Sequence, residues 1–336
     1  MEQISLTYNL LYQQPLHIGI VMHQKPDADA MGSSLALAGY LQQLGHTTVV
    51  VSPTNWPTYL DWMQGSELVF DYEAKKNKTE AALKTCSILY CLDFNHFGRT
   101  KKMSEFLTNL NCIKILIDHH QEPQTDAFQY GVSNTAKSST CEMVYNYICE
   151  AEKIELITPQ IAACLYAGTM TDTGSFRFTS TSADVHTMVA QLILKGAVPN
   201  TIHENLFDNY LENRLRFMGH VLCNCMEVYY EYNTVIISIT NSDLVHYQIN
   251  TGDTEGIVNL PQSIKGIKLV AIIIDRHEEI KMSFRSKGDF DTNTFARKYF
   301  NGGGHFSASG GQSKKTLAQT VLDFKIAMKE SKALLQ

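Results

Sequence analysis

The sequence predicts an α/β protein of two domains, and three observations predict it. Apolar runs of strand length alternate with segments of helical period through the first half of the chain. A long polar stretch of helical period follows, from Pro199 to about Met226, and a second strand-rich set begins after it. The 336 residues, 44% hydrophobic and 18% charged, suffice for two cores and carry no compositional sign of disorder. The reading is therefore a parallel-sheet domain with flanking helices over residues 1–198, a helical linker over 199–226 and a smaller α/β domain over 227–336.

In the first half, HIGIVMH (17–23), TTVVVS (47–52), SILYCLDF (87–94) and IKILIDHH (113–120) read as strands. They are near-continuous in apolar character, as strands of a parallel sheet covered on both faces are. SSLALAGYLQQLG and STCEMVYNYICEAEK place apolar residues at three- and four-residue steps, and the first stops at Gly45, a residue suited to end a helix. TPQIAACLYAGTMTDTG opens with a Thr cap before Pro159, and TSADVHTMVAQLILKG repeats the helical pattern. Beyond the linker, TVIISIT, IKLVAIIID and EIKMSFRS read as strands, DTNTFARKYF and KKTLAQTVLDFKIAMKESKALL as helices, and NGGGHFSASGG as a glycine-rich loop.

Composition narrows the function classes. Net charge is −6 and no long Lys/Arg run occurs, so the electrostatic footprint of a protein that binds long nucleic acid is missing, while a small anionic substrate held in a local pocket is allowed. No apolar run reaches the roughly 18 residues a membrane span needs, and the amino terminus lacks a secretory pattern, so no membrane association and a cytoplasmic location are expected. The eight cysteines lie mostly in apolar segments and read as reduced core residues rather than a zinc site. Spaced glycines of a pyrophosphate turn are absent after the first strand, and so is a phosphate loop ending in Gly-Lys-Ser or Gly-Lys-Thr, which argues against a dinucleotide oxidoreductase and a nucleotide triphosphatase.

The chemistry lies in where acids and histidines fall. They cluster at the carboxyl ends of the apolar strands, where open α/β sheets place their sites: His23 with Asp27 and Asp29, then Asp93, then Asp118, His119 and His120. Four carboxylates (Asp27, Asp29, Asp93, Asp172) and two imidazoles (His23, His119) brought together need cations to neutralise them. A mixed oxygen and nitrogen set suits two divalent ions, Mn²⁺ first, with Mg²⁺, Co²⁺ or Fe²⁺ as alternatives. Two such ions about 3.5–4 Å apart suit phosphoester hydrolysis by activated water. The histidines at 17, 46, 186, 203, 220, 246 and 277 have no partner at ligand spacing in the sequence.

These motifs resemble those of the DHH phosphoesterases: His23, Asp27 and Asp29 with Gly32 and Ser33, then Asp93, then Asp118-His119-His120, then Asp172 in GTMTDTGSF, in that order. NGGGHFSASGG is similar to the signature of the DHHA1 domain, so the resemblance runs from about residue 15 to residue 330. It implies a second domain with a mixed sheet, and activity like that of the nanoRNase/pAp-phosphatase branch on short RNA, dinucleotides or a mononucleotide bisphosphate, with a homodimer allowed. Carried over by position, it implies that His23, Asp27 and Asp93 hold one ion and that Asp29, Asp93, His119 and Asp172 hold the other. Asp118 would orient an imidazole and His120 would face the phosphate as a catalytic group. In the second domain Arg285, His305 and the backbone of Gly302, Gly303 and Gly304 are candidates for holding the far end of the substrate, with Arg99 and Arg177 as further phosphate contacts. The alternatives are a cyclic or linear dinucleotide phosphodiesterase of signalling type and a catalytically silent nucleotide-binding module. Four clustered carboxylates disfavour the silent module, because they repel an anionic ligand unless metal is present.

Overall fold

The computed structural model describes residues 1–250 and 252–336. The chain forms two compact units, Met1–Asn209 and Tyr210–Gln336. The first holds strands β1 (Glu2–Gln3), β2 (His17–Val21), β3 (Thr47–Ser52), β4 (Phe70–Asp71), β5 (Ile88–Leu92), β6 (Ile113–Asp118) and β7 (Tyr130–Ser133). Its helices are α1 (Tyr8–Leu11), α2 (Ala28–Gln43), α3 (Tyr72–Lys84), α4 (Ser104–Asn109), α5 (Thr140–Glu150), α6 (Pro159–Asp172), α7 (Ala183–Leu194) and α8 (Pro199–Phe207). The strands form one sheet in the order β1-β7-β6-β5-β2-β3-β4, with every neighbouring pair parallel.

The chain winds outward in one direction from β2 through β3 and β4, then returns to β5 and winds the other way through β6 and β7. The gap between the ends of β2 and β5 is thus the point where strand order reverses, the place such sheets offer to ligands. All five residues of β5 are buried, as its continuous apolar run requires of a strand covered on both faces. Helix ends follow the caps anticipated above: Gly45 leaves α2 at φ +89°, and Thr158 accepts the Ile161 N–H before Pro159 opens α6.

Helices α2 and α6 pack closely because small residues face each other. A Cβ on Gly32 would stand 2.6 Å from the Cys164 carbonyl oxygen, and one on Gly168 would stand 2.8 Å from Asp29 Cα. Neither position tolerates a side chain, and the second brings α6 directly against a candidate ligand.

The second unit comprises α9 (Glu212–Asn224), β8 (Met226–Tyr229), β9 (Thr234–Ile239), α10 (Asn241–His246), β10 (Leu269–Asp275), β11 (Ile280–Ser286), α11 (Thr292–Tyr299), β12 (Gly303–Gly304), β13 (Ala308–Ser313), α12 (Leu317–Glu330) and α13 (Lys332–Leu335). Its sheet runs β12-β13-β11-β10-β9-β8 and is mixed, since β9 pairs parallel with β10 and the other pairs are antiparallel. Phe284, Phe295, Phe300 and Phe324 fill one face; Phe217, Val221, Ile237 and Ile272 lie in the cluster on the other.

Two details differ from the sequence reading. The stretch 199–226 is two helices, α8 in the first unit and α9 in the second, with Asp208 to Leu211 between them. The glycine-rich segment is no simple loop: Gly303 and Gly304 pair with Gly310 and Ser309, and β13 pairs along the length of β11. Glycines are poor strand formers by propensity, but here the backbones approach too closely for a Cβ, as Gly302 shows against the Gly310 carbonyl.

Candidate metal centre

Each acidic or imidazole side chain reaches the centre from a defined structural position. His23 follows β2 and Asp93 follows β5, on adjacent strands, while Asp118 ends β6 and passes directly into His119 and His120. Asp27 caps α2, its Oδ1 accepting the N–H groups of Asp29 and Ala30 at 3.0 Å. Asp172 is the last residue of α6.

Asp93 lies at the middle. It adopts φ +62°, a left-handed conformation that Asp tolerates better than most residues, while its N–H bonds the Ile117 carbonyl. Its Oδ2 is 3.3 Å from His23 Nε2, and its Oδ1 is 3.4 Å from His119 Nε2. His119 Nε2 is also 3.4 Å from Asp172 Oδ2 and 3.8 Å from Asp29 Oδ2, and His23 Nε2 is 4.0 Å from Asp27 Oδ1. Three groups of ligand-type atoms share Asp93, each within 4.8 Å: His23, Asp27 and Asp93; Asp29, Asp93 and His119; and Asp93, Asp118 and His120, the last of which includes the His120–Asp118 hydrogen bond. His119, Asp29 and Asp93 are at most 6% exposed, whereas Asp27 has a half-exposed side chain, so the first group faces solvent and the second is buried.

Orientation of these groups fits metal binding. His23 Nδ1 sits 2.8 Å from the Gln24 carbonyl and His119 Nδ1 3.4 Å from the Lys137 carbonyl. A carbonyl can only accept, so each Nδ1 carries hydrogen when neutral and each Nε2 presents a lone pair to the carboxylates. Lone pairs and carboxylate oxygens at 3.3–3.4 Å repel unless a proton or a cation lies between them. Asp29 is held from behind, its oxygens accepting the N–H of Thr140 at 2.7 Å and of Cys141 at 2.8 Å, at the amino terminus of α5. The Thr140 hydroxyl donates to Asp93 Oδ1 at 2.9 Å.

The same crowding of buried charge shifts the protonation of these groups. Burial raises the Asp29 carboxyl to about 7, with the Asp93 charge adding to it, and burial likewise raises Asp118 to about 6. Burial also pushes Asp172 well above the carboxylate range, reinforced by Asp29 and Asp27. Burial alone would lower His119, but the hydrogen bond and charge of Asp93 outweigh it and carry His119 up to about 10. Burial alone would raise Asp93, yet the hydrogen bonds from His119 and His23 and the His120 imidazole hold it well below the usual range.

Asp118 Oδ1 accepts from His120 Nδ1 at 2.7 Å, while its Oδ2 is buried with no hydrogen-bond partner. Burial, and next the Arg99 guanidinium, hold His120 well below the ordinary histidine value. Arg99 is therefore brought electrostatically to the centre, and its carbonyl anchors the Gln24 N–H. Arg177 is placed differently: its Nε donates back to the Gly174 carbonyl at 2.7 Å and the residue is exposed. In the second unit, Arg285 pairs across the sheet with Ala308, and the His305 N–H bonds the Ala308 carbonyl, so these two candidates share one end of the sheet with the glycines. Sequence reasoning missed Asn293, whose Oδ1 accepts both the Gly304 N–H at 3.0 Å and Arg297 Nε at 3.2 Å and so fixes the glycine strand. It also missed Thr140, the first residue of α5 after the Ser139 cap, whose place in SST gave no sign that a metal-site carboxylate would lie against it.

A parallel sheet whose switch point gathers His/Asp donor groups around one carboxylate has the donor set of a metal-assisted phosphoesterase. The pattern of the DHH family, N-terminal domain, matches residues 17–169, and that of the DHHA1 domain matches residues 232–330. The crystal structure of an exopolyphosphatase-related protein from Bacteroides fragilis is 36% identical, with 98% of this chain and 96% of that one covered and a TM-score of 0.93. Two relatives bear the name bifunctional oligoribonuclease and PAP phosphatase NrnA. The Thermus thermophilus protein is 27% identical, covering 93% of this chain and 89% of its own, and the Bacillus subtilis protein is 25% identical, covering 88% and 89%. This chain belongs to the DHH/DHHA1 phosphoesterase family and is a hydrolase. No helix among the described residues is long and apolar enough to cross a membrane.

Proposed function

We propose that this hydrolase acts on short nucleotide phosphoesters, very short oligoribonucleotides or dinucleotides and 3′-phosphoadenosine 5′-phosphate, with two divalent ions, manganese in the first place. The observation that carries the reading is the position of Asp93, one buried carboxylate between two His/Asp donor groups. His23, Asp27 and Asp93 would hold one ion, and Asp29, Asp93, His119 and Asp172 the other. When bound, such ions neutralise the carboxylates, polarise the phosphoryl oxygens and supply a nucleophilic water at neutral pH.

The chain's own residues set the rest. Asp118 takes the Nδ1–H of His120 and fixes the ring, which leaves Nε2 to exchange a proton with the leaving oxygen. Burial and the Arg99 guanidinium disfavour the imidazolium form of His120, and the negative charge of a bound phosphate works against that guanidinium. Arg285, His305 and the glycine backbone of the DHHA1 domain, with Arg99 and Arg177, would hold the remaining phosphate or base. The names of the Thermus and Bacillus relatives support the substrate class. Net charge of −6 supports short over long nucleic acid, and eight free thiols suit the reducing cytoplasm.

The test is turnover with Mn²⁺ of 3′-phosphoadenosine 5′-phosphate, linear dinucleotides, cyclic dinucleotides and a long RNA, with Asp93→Ala as control. Cleavage of the first two, lost in the variant, is the expected result. Preference for cyclic dinucleotides would move the enzyme to signalling, and equal rates on long RNA would defeat the short-substrate reading.

A further inference from the structure

Sequence spacing gives His220 no ligand partner, but the fold supplies two. In α9 its Nε2 stands 3.1 Å from Asp243 Oδ1 in α10, and Cys225, just past the end of α9, brings Sγ into the same group within 4.8 Å. We propose that His220, Cys225 and Asp243 form a second, non-catalytic metal site that takes a thiophilic divalent ion, zinc first.

The donor geometry supports it. Nitrogen and oxygen ligands about 2.0–2.1 Å from a tetrahedral zinc lie roughly 3.3 Å apart, close to the separation found. Cys225 Sγ lies within 4.8 Å of both atoms, and its bond to zinc, about 2.3 Å, is longer than those of nitrogen and oxygen. Both neighbours of the pair are oriented from behind, as ligands of a built site are. Asp243 Oδ2 accepts the Thr240 N–H at 3.0 Å and its hydroxyl at 2.5 Å, which leaves Oδ1 for His220. Asn224 Nδ2 lies 3.1 Å from His220 Nδ1; as placed it donates to Nδ1 and leaves Nε2–H on Asp243, and metal binding requires the carboxamide to flip so that its oxygen accepts Nδ1–H and Nε2 offers its lone pair. Cys225 is fixed through its backbone, its N–H on the Val221 carbonyl and its carbonyl accepting from Ser238 in β9.

Thiolate with imidazole and carboxylate favours zinc, whereas the catalytic donors are oxygen and nitrogen alone and favour manganese or magnesium, so the two centres differ in selectivity. Binding replaces the S–H bond with a sulfur–metal bond and releases that proton to solvent. The new site lies beside edge strand β8, at the opposite edge of the sheet from the glycine-rich β12 and β13, and it would tie α9 and α10 to the start of β8. A purely structural His220–Asp243 hydrogen bond is the competing explanation.

Cobalt substitution in the full-length protein separates the two. Co²⁺ bound to wild type is expected to give the near-ultraviolet thiolate-to-cobalt charge-transfer absorption. That absorption persists in Cys223→Ser and in Asp93→Ala and is lost in Cys225→Ser, which binds one equivalent less zinc while keeping its Mn²⁺-dependent turnover and circular dichroism. His220→Asn leaves the thiol in place and is expected to weaken zinc binding at least tenfold. No thiolate band in wild type, a band that survives Cys225→Ser, or unchanged zinc binding in His220→Asn overturns the proposal.

Discussion

Replacing Gly168 by Ala tests how the helix packing builds the metal centre. The added methyl would sit inside contact distance of Cys141 Sγ, 2.8 Å from Asp29 Cα and 2.9 Å from Asp29 Oδ1. Neither the backbone of α2 nor a carboxylate pinned by the Thr140 and Cys141 N–H groups can rotate away. Overpacking of this kind costs about 1–3 kcal/mol. Displacing Asp29 also weakens two hydrogen bonds to a charged group, each worth about 1.5–3 kcal/mol when intact. A net loss of about 3–4 kcal/mol, at roughly 2–4 °C per kcal/mol for a domain of this size, lowers Tm by about 10 °C. Gly39→Ala is the control, since it lies on the same helix pair and its methyl meets Ile161 Cγ1 at 2.9 Å and Cδ1 at 3.3 Å, apolar side-chain atoms rather than backbone or a metal-site carboxylate. Both variants gain the same helix propensity, so their difference isolates the crowding at Asp29. Thermal melts in chelator and Mn²⁺ titration of both proteins give the answer. Gly168→Ala should melt well below Gly39→Ala and bind Mn²⁺ at least tenfold more weakly; equal Tm and equal affinity would refute the reasoning.

Two further outcomes follow from the same geometry. Thr140→Val keeps the backbone N–H to Asp29 but removes the hydroxyl that donates to Asp93, and its Mn²⁺ affinity should fall by about ten- to a hundredfold by isothermal titration, with little change in circular dichroism. Metal binding should release protons, because Asp29 (about 7), Asp118 (about 6) and His119 (about 10) all hold them above their unfolded values. The folded state then binds more protons than the unfolded state, so in chelator stability falls as pH rises, from about 4 through 7 for Asp29 and from about 6.5 through 10 for His119. Asp93 and His120, both held low, act with the opposite sign, Asp93 only below its unfolded value near pH 4 and His120 below its unfolded value near 6.5, so the fall is cleanest above about pH 6.5. Melting curves across pH 5–9 with chelator and with Mn²⁺ should diverge as pH rises; parallel curves would contradict the proton-for-metal exchange.

The long elements were legible because each carries its own signal. β2, β5 and β6 are uninterrupted apolar runs, and α2 and α6 combine a cap, a period and a stop. Their carboxyl ends carried the acidic and imidazole residues, so the gathering of His23, Asp93 and His119 could be expected from topology alone. The edge strands β1 and β4, two residues each, have too few positions to show alternation, and their pairing is decided by the sheet beside them. The glycine hairpin β12–β13 reads as loop by propensity and becomes strand because of close backbone approach. The support of Asp29 by Thr140 and Cys141 joins residues more than a hundred positions apart, and the His220 group joins a helix, a strand entry and a second helix. No local pattern announces contacts of that range.

The account rests on one carboxylate serving two ions, and counting Mn²⁺ by electron paramagnetic resonance in wild type and Asp93→Asn tests it most directly. Wild type should bind two ions per chain whose spectra show exchange coupling, and Asp93→Asn should lose the coupling, weaken both sites and abolish hydrolysis. A coupled pair that persists in Asp93→Asn, or a single ion in wild type with full activity, would contradict it.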